Sequence, residues 1–425
     1  MRTLLLLPIL AVTSALPAGA QRDFFELAPI RYSETLATDP MAGLIRDWKS
    51  GARPLPDGEP LDVLRAVLRA LAVPEESQML VFSKTSQQVG LIHPRNPRAI
   101  YFSRDTYVGY VPGGNIEVTA SDPVLGVVFY MIDLSRTGRA DWAQRDNSCL
   151  QCHGTSRTEL VPGVLVRSVF PNRDGHALLA AGTYLTTQAS PLKERWGGWY
   201  VTGQHGDFRH MGNTLADELD DGGAEFDFEA GANWTTLDGK INTANYLRPT
   251  SDIVALMVLE HQCRMHNLLI QAGMEYRRLA FLQKAIDPEA DLEAEDGMAA
   301  RAGRDSAETV LRYMLFCGEA DLGDGVEGDP SFAERFEAGA VTTADGHSLR
   351  ELRLYGRLFK NRCSYMIHST AFKSLPPPIR DRVLARLWEI LNGNEDAFAH
   401  LGDSEKKRLR AILRETVADL PACWH

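Results

Sequence analysis

The most reactive grouping in the chain is Cys149-Leu150-Gln151-Cys152-His153, preceded by Asn147-Ser148 and followed by Gly154. Two thiols three positions apart stand about one helical turn from each other. Their sulfurs can then add to the two neighbouring vinyl groups of one haem. A histidine directly after the second cysteine lies beneath the porphyrin, where its imidazole can reach the iron. Zinc is the main rival use of a Cys-x-x-Cys pair, but it calls for four ligands in tetrahedral array, and the chain has no second Cys-x-x-Cys. A redox-active dithiol is the other rival. It has no use for the following histidine, and no thioredoxin-like βαβ pattern surrounds the pair.

These residues resemble those of c-type cytochromes, over the motif and its immediate surroundings only. The resemblance implies one covalently bound haem c, thioether bonds at Cys149 and Cys152, His153 as proximal axial ligand of the haem iron, and one-electron transfer. In small c-type cytochromes a proline carbonyl a little downstream orients the proximal imidazole. Val161-Pro162-Gly163 is the segment placed to do that here, a strand-entry turn being the plainer alternative. The rest of the chain departs from the small-cytochrome pattern, because strand-like sequence flanks the motif on both sides. That departure puts the usual methionine as sixth ligand in question. A single Cys-x-x-Cys-His also gives no support to multihaem wiring.

The densest group of further iron-competent side chains is Gln204-His205-Gly206-Asp207-Phe208-Arg209-His210-Met211-Gly212. His210 and Met211 are the candidate distal ligands, with His210 slightly ahead. Arg209 and His210 facing peroxide at an open iron, or an ordinary polar loop, are the alternatives. A second cluster runs Glu260-His261-Gln262-Cys263-Arg264-Met265-His266. His261 and Met265 share a helix face, but the five-residue step from His261 to His266 does not suit a two-histidine clasp. Packing is the main reading there, with His261 the next candidate for the iron. Trp196, Trp199, Met79, Met131 and Met257 read as core residues. No catalytic residue is assigned.

The elements that must position these groups change character near Pro249. Residues 59–73 have a helical apolar stripe opened by Pro60. Short strand-like runs follow at 78–83, 99–103, 107–111, 115–119 and 126–133, separated by turns such as Val111-Pro112-Gly113-Gly114. Further strands are expected at 163–170, 177–184 and 196–202, and an acidic loop at 217–229. Ser251-Asp252 reads as a cap for a helix over 253–284. More helices are expected at 348–363, 378–391 and 404–417. The pattern predicts an α+β fold: a β-rich haem-binding domain over 21–250 and a helical domain over 251–425, not the small all-α cytochrome fold.

Met1-Arg2-Thr3, an apolar run over 4–12 and Ala18-Gly19-Ala20 form a secretory signal pattern. The expected mature start is near Gln21, and the expected location is the periplasm or another exported compartment. No later run is apolar enough to be a transmembrane segment. The formal charge of −11 argues against general nucleic-acid binding and favours a basic redox partner. Cys263, Cys317, Cys363 and Cys423 allow two disulfides in any of three pairings, or isolated thiols. One-electron transfer leads the functional reading. An open-iron haem enzyme for peroxide or nitrogen-oxide chemistry, and a haem-based sensor, are the alternatives. The helical part is large for a plain electron carrier.

Overall fold

The computed structural model describes residues 23–220 and 222–425; the signal segment expected over 1–20 lies outside them. Two short helices come first, α1 (Pro40–Ser50) and α2 (Pro60–Ala70), each with proline in its first turn. Proline is tolerated there because that N–H has no helical partner anyway. Asp39 caps α1 by accepting hydrogen bonds from the Met41 and Ala42 amides, and Gly51 ends it in a left-handed conformation at φ 77°.

Six strands then form one antiparallel sheet in sequence order: β1 (Met79–Val81), β2 (Arg98–Phe102), β3 (Thr106–Tyr110), β4 (Ile116–Asp122), β5 (Gly126–Ile132) and β6 (Ala143–Arg145). Side chains alternate between its faces. Tyr101, Val108, Val118 and Tyr130 are neighbours across the strands and share one face, which is buried. Helix α1 lies on that side, where the Tyr130 hydroxyl donates to Asp39 at 2.5 Å. Ile100, Gly109, Glu117 and Met131 are neighbours on the opposite face, where all but the glycine are only half-buried.

A one-turn helix, α3 (Leu150–His153), follows β6. Two hairpins come next, β7 (Arg167–Val169) with β8 (Thr183–Leu185) and β9 (Ala216–Glu218) with β10 (Ala224–Phe226). Beyond them the chain is largely helical: α4 (Ile253–Ile286), α5 (Met298–Met314), α6 (Pro330–Ala338), α7 (Thr370–Lys373), α8 (Pro377–Asn392) and α9 (Asp403–Thr416), with one hairpin, β11 (Leu352–Tyr355) and β12 (Arg357–Phe359), between α6 and α7. The fold is thus α+β, with a β-rich N-terminal half and a helical C-terminal half. Among the described residues no helix is long and apolar enough to cross a membrane.

Asp252 caps α4 by accepting from the Ala255 amide at 2.8 Å. From Ile253 to Ile270 only Arg264 on α4 escapes full burial. A helix buried nearly all round belongs in the middle of a protein, and its polar side chains there need partners inside it. Here α4 joins the two parts through one continuous core. Its Gln262 and His266 both reach the Tyr107 hydroxyl on β3.

Two sequence expectations are corrected. Residues 196–202 do not form a strand, because Trp196 and Gly198 take positive φ (67° and 87°) and break the extended run. Residues 348–363 are not a helix but hold the β11–β12 hairpin, where Leu354 and Gly356 (φ 65° and 64°) turn the chain. The acidic stretch 217–229 contains part of the β9–β10 hairpin, while α1, α5 and α6 were not anticipated.

Candidate haem site

The motif is tied to the sheet by its leading residue. Asp146 N–H donates to the Phe129 carbonyl of β5 at 2.8 Å. Its carboxylate accepts from the amide and the hydroxyl of Ser148 at 2.9 and 2.5 Å. That cap starts a 3-10 turn over Asn147–Cys149, which runs straight into α3. Cys149 and Cys152 are therefore one turn apart, as the spacing required. Cys152 is exposed and Cys149 half-buried, so both sulfurs are open to reaction. Burial pushes the Cys149 thiol up to about 12, helped by the carboxylates of Asp146 and Glu117. Gln87 reaches from the loop after β1 to the Ser148 hydroxyl at 2.7 Å and to the Cys149 sulfur at 3.7 Å.

His153 is held twice by one residue. Its carbonyl accepts from Gly163 N–H at 2.9 Å, and its Nδ1 lies 2.9 Å from the Gly163 carbonyl. A carbonyl oxygen only accepts, so Nδ1 carries the proton and Nε2 keeps its lone pair. Burial holds the imidazole below its usual pKa range, which favours the neutral form a metal needs. The Phe129 ring lies 5.1 Å from the His153 ring.

Gly163 is itself positioned from the helical half. Asn267 of α4 accepts from Val164 N–H at 2.9 Å and donates to the Val164 carbonyl at 2.7 Å. A Cβ on Gly163 would stand 2.4 Å from Asn267 Oδ1, so no side chain fits between loop and helix. The expected segment, Val161-Pro162-Gly163, does orient the imidazole, but through the glycine carbonyl. The proline carbonyl instead accepts from Val127 N–H at 3.4 Å. Asn267 had no sequence signal, since its partner is 103 residues away.

Beside the motif, Arg98 and Glu117 form an ion pair on the half-buried sheet face. Arg98 lies across Gly109, where an added Cβ would meet the guanidinium at 2.6 Å. The same face carries Met131, opposite Glu117 and two residues from Phe129.

The other sequence candidates lie elsewhere. His210 is buried against Trp196 and His205, with ring centroids 5.2 and 4.7 Å away. Its Nδ1 accepts from Gly212 N–H at 3.0 Å, so its proton sits on Nε2, which is buried without a partner. Burial, with the nearby His205 and Arg209, pushes it down to about 3. Met211 is 1 % exposed, and its sulfur accepts from the Ser168 hydroxyl at 3.5 Å. Arg209 pairs with Glu229 at 2.6 Å. In this conformation His210 presents an N–H, not a lone pair, and Met211 is enclosed in the core.

His261 is fully buried between Gln188 Oε1 and the Ser364 hydroxyl, at 2.5 and 2.7 Å, and stacks on Phe316. His266 contacts Tyr107 and Ser121. Both are packing residues, and Trp196 and Trp199 are likewise buried. No two of the six cysteines are joined as a disulfide. Among the described residues no three or more His, Cys, Asp or Glu are grouped to hold a bare metal ion. Comparison with protein-family models, curated proteins and solved structures finds no match.

Proposed function

We propose that this chain is an exported monohaem c-type cytochrome for one-electron transfer, with haem c joined to Cys149 and Cys152 and His153 as its proximal ligand. The observation that carries this reading is the His153–Gly163 bond. It puts the proton on Nδ1 and leaves Nε2 as a donor to iron, on the same turn as two reachable thiols. Carbonyl contacts of this kind fix a ligating imidazole's tautomer and raise its basicity. Haem, when bound, supplies one iron that takes up and gives up a single electron. The chain's own residues hold it, orient the proximal ring through Asn267 and Gly163, and wall one side of that ring with Phe129.

For the sixth position we favour Met131 over His210 and Met211. Met131 is half-buried on the sheet face that carries Phe129 and Glu117. A methionine thioether is a ligand that haem iron accepts, and such ligation raises the reduction potential. The net charge of −11 suits a basic redox partner.

The test starts with chain expressed alongside haem-attachment machinery. Acid-acetone should leave the haem on the protein, and Cys149→Ala with Cys152→Ala should abolish retention. His153→Ala should keep the thioethers but shift the Soret and visible bands. Extractable haem, or a His153→Ala spectrum identical to wild type, would overturn the reading.

A further inference from the structure

A cavity of about 360 Å³ lies where the β2–β3 turn of the sheet meets α6 and the start of the β11–β12 region. That is within the usual size for small-molecule sites, roughly 300–1,000 Å³. It is far in sequence from the cysteine motif and rests on none of the haem reading.

Three arginines line it, Arg104, Arg335 and Arg350, with a single carboxylate, Asp105. Asp105 is already committed. One oxygen accepts from Arg104 Nε at 3.1 Å and the other from the Thr370 amide at 2.7 Å. Arg335 stands at the exposed rim. Neither it nor Arg350 has an ion-pair partner among the described residues, so the lining carries two uncompensated positive charges (three guanidinium groups less one carboxylate).

Arg350 is the telling residue. Its guanidinium lies 4.8 Å from the Phe336 ring centre and 4.9 Å from that of Tyr365. One terminal nitrogen donates to the Phe336 carbonyl at 3.2 Å. Among the described residues no other side-chain N–H of Arg350 has an acceptor. Burial works most against its charged form and Arg104 adds to that, outweighing the opposing influence of Tyr365 and Asp105. Aromatic faces offset part of the cost of enclosing a cation, but an enclosed charge is normally matched by an anion. The apolar lining continues from Phe336: Phe332 stacks on it at 5.7 Å and approaches Phe102 at 6.0 Å.

A guanidinium fork reads a planar carboxylate through two parallel hydrogen bonds, and the phenylalanine wall takes an apolar body. We propose that this cavity binds a small organic carboxylate, its acid group on Arg350 and Arg335 and its apolar body against Phe102, Phe332 and Phe336.

The experiment is calorimetric titration of the purified full chain with phenylacetate, benzyl alcohol and inorganic phosphate. Phenylacetate is expected to bind in the millimolar range or tighter, with neither of the others competing. Arg350→Lys keeps the charge but loses the fork, and should weaken phenylacetate about tenfold or more. Arg335→Gln at the exposed rim cannot disturb the core, and should weaken it several-fold. Circular dichroism checks that both variants fold. The proposal is overturned if phenylacetate gives no binding at ten-millimolar concentration, if benzyl alcohol binds equally well, if phosphate binds in its place, or if Arg335→Gln leaves the affinity unchanged.

Discussion

His153 and His210 are both histidines near glycine backbones, yet their chemistry is opposite. A carbonyl faces Nδ1 of His153, whereas an amide N–H faces Nδ1 of His210. The first arrangement frees a lone pair on Nε2 and the second puts a proton there. This gives a prediction at the distal position. Met131→Ala should open the ferric haem to added ligands and make the reduced form bind carbon monoxide, while His210→Ala should leave both spectra as in wild type. The reverse outcome would return the ligand to the 209–211 loop. A second prediction concerns Gly163→Ala. The added methyl would collide with Asn267, and overpacking of this kind costs about 1–3 kcal/mol. Denaturant unfolding should show that loss. The proximal-ligand bands in resonance Raman should also broaden, because the Gly163 carbonyl is pushed off His153; a purely structural role would leave them sharp.

Caps and clasps decide how elements seat. Helix α9 is locked to β12 and the chain that follows it by Glu405, which accepts from Arg362 at 2.7 Å and from Arg357 at 3.4 Å. Burial acts to raise the Glu405 carboxyl, but the bonds from Arg362 outweigh it and hold the group below its ordinary 4.5. A carboxyl depressed in the folded state stabilises the fold above its unfolded pKa and loses that contribution as pH falls. Glu405→Gln should therefore cost about 2–4 kcal/mol at pH 7. The gap between variant and wild type should close as pH drops below about 4. Urea melts at several pH values measure this, and a gap independent of pH would show that the ion pair contributes nothing. At the other end of the chain, Asp39→Ala removes the α1 cap and strands the Tyr130 hydroxyl. A loss of about 1–3 kcal/mol is expected in the same melts.

Across the whole molecule, one core spans both halves, so the loop that holds His153 is positioned by a helix from the far half. Net charge acts at this scale too. The chain carries −11 overall, but Arg167 lies near both Arg157 and Cys152. At low salt the long-range field should dominate. Oxidation by the cationic hexaammineruthenium(III) should slow several-fold between low and physiological salt, while oxidation by anionic ferricyanide should quicken. Stopped-flow rates decide it, and the opposite pattern would mean that the arginines near the motif govern encounter.

Local chemistry was legible in the amino-acid order. Cysteine spacing on a helical turn, strand alternation and turn residues over 78–133, and the Ser251-Asp252 cap all act within a few residues, so the sequence by itself determined the one-turn placement of Cys149 and Cys152, the meander and the start of α4. It also determined that the halves differ in kind. Tertiary structure alone decided which backbone group meets each histidine, because a tautomer depends on a partner that can lie far along the chain. It decided the fate of Met131 as well: alternation puts that residue on one face of β5, but only the packing of neighbouring elements leaves that face half open. Residues 348–363 have the composition of a helix, and the positive φ of Leu354 and Gly356 turns them into a hairpin. The convergence of Arg104, Arg335 and Arg350 belongs to the same class, since three charges from three distant segments become one site only when the core folds beneath them.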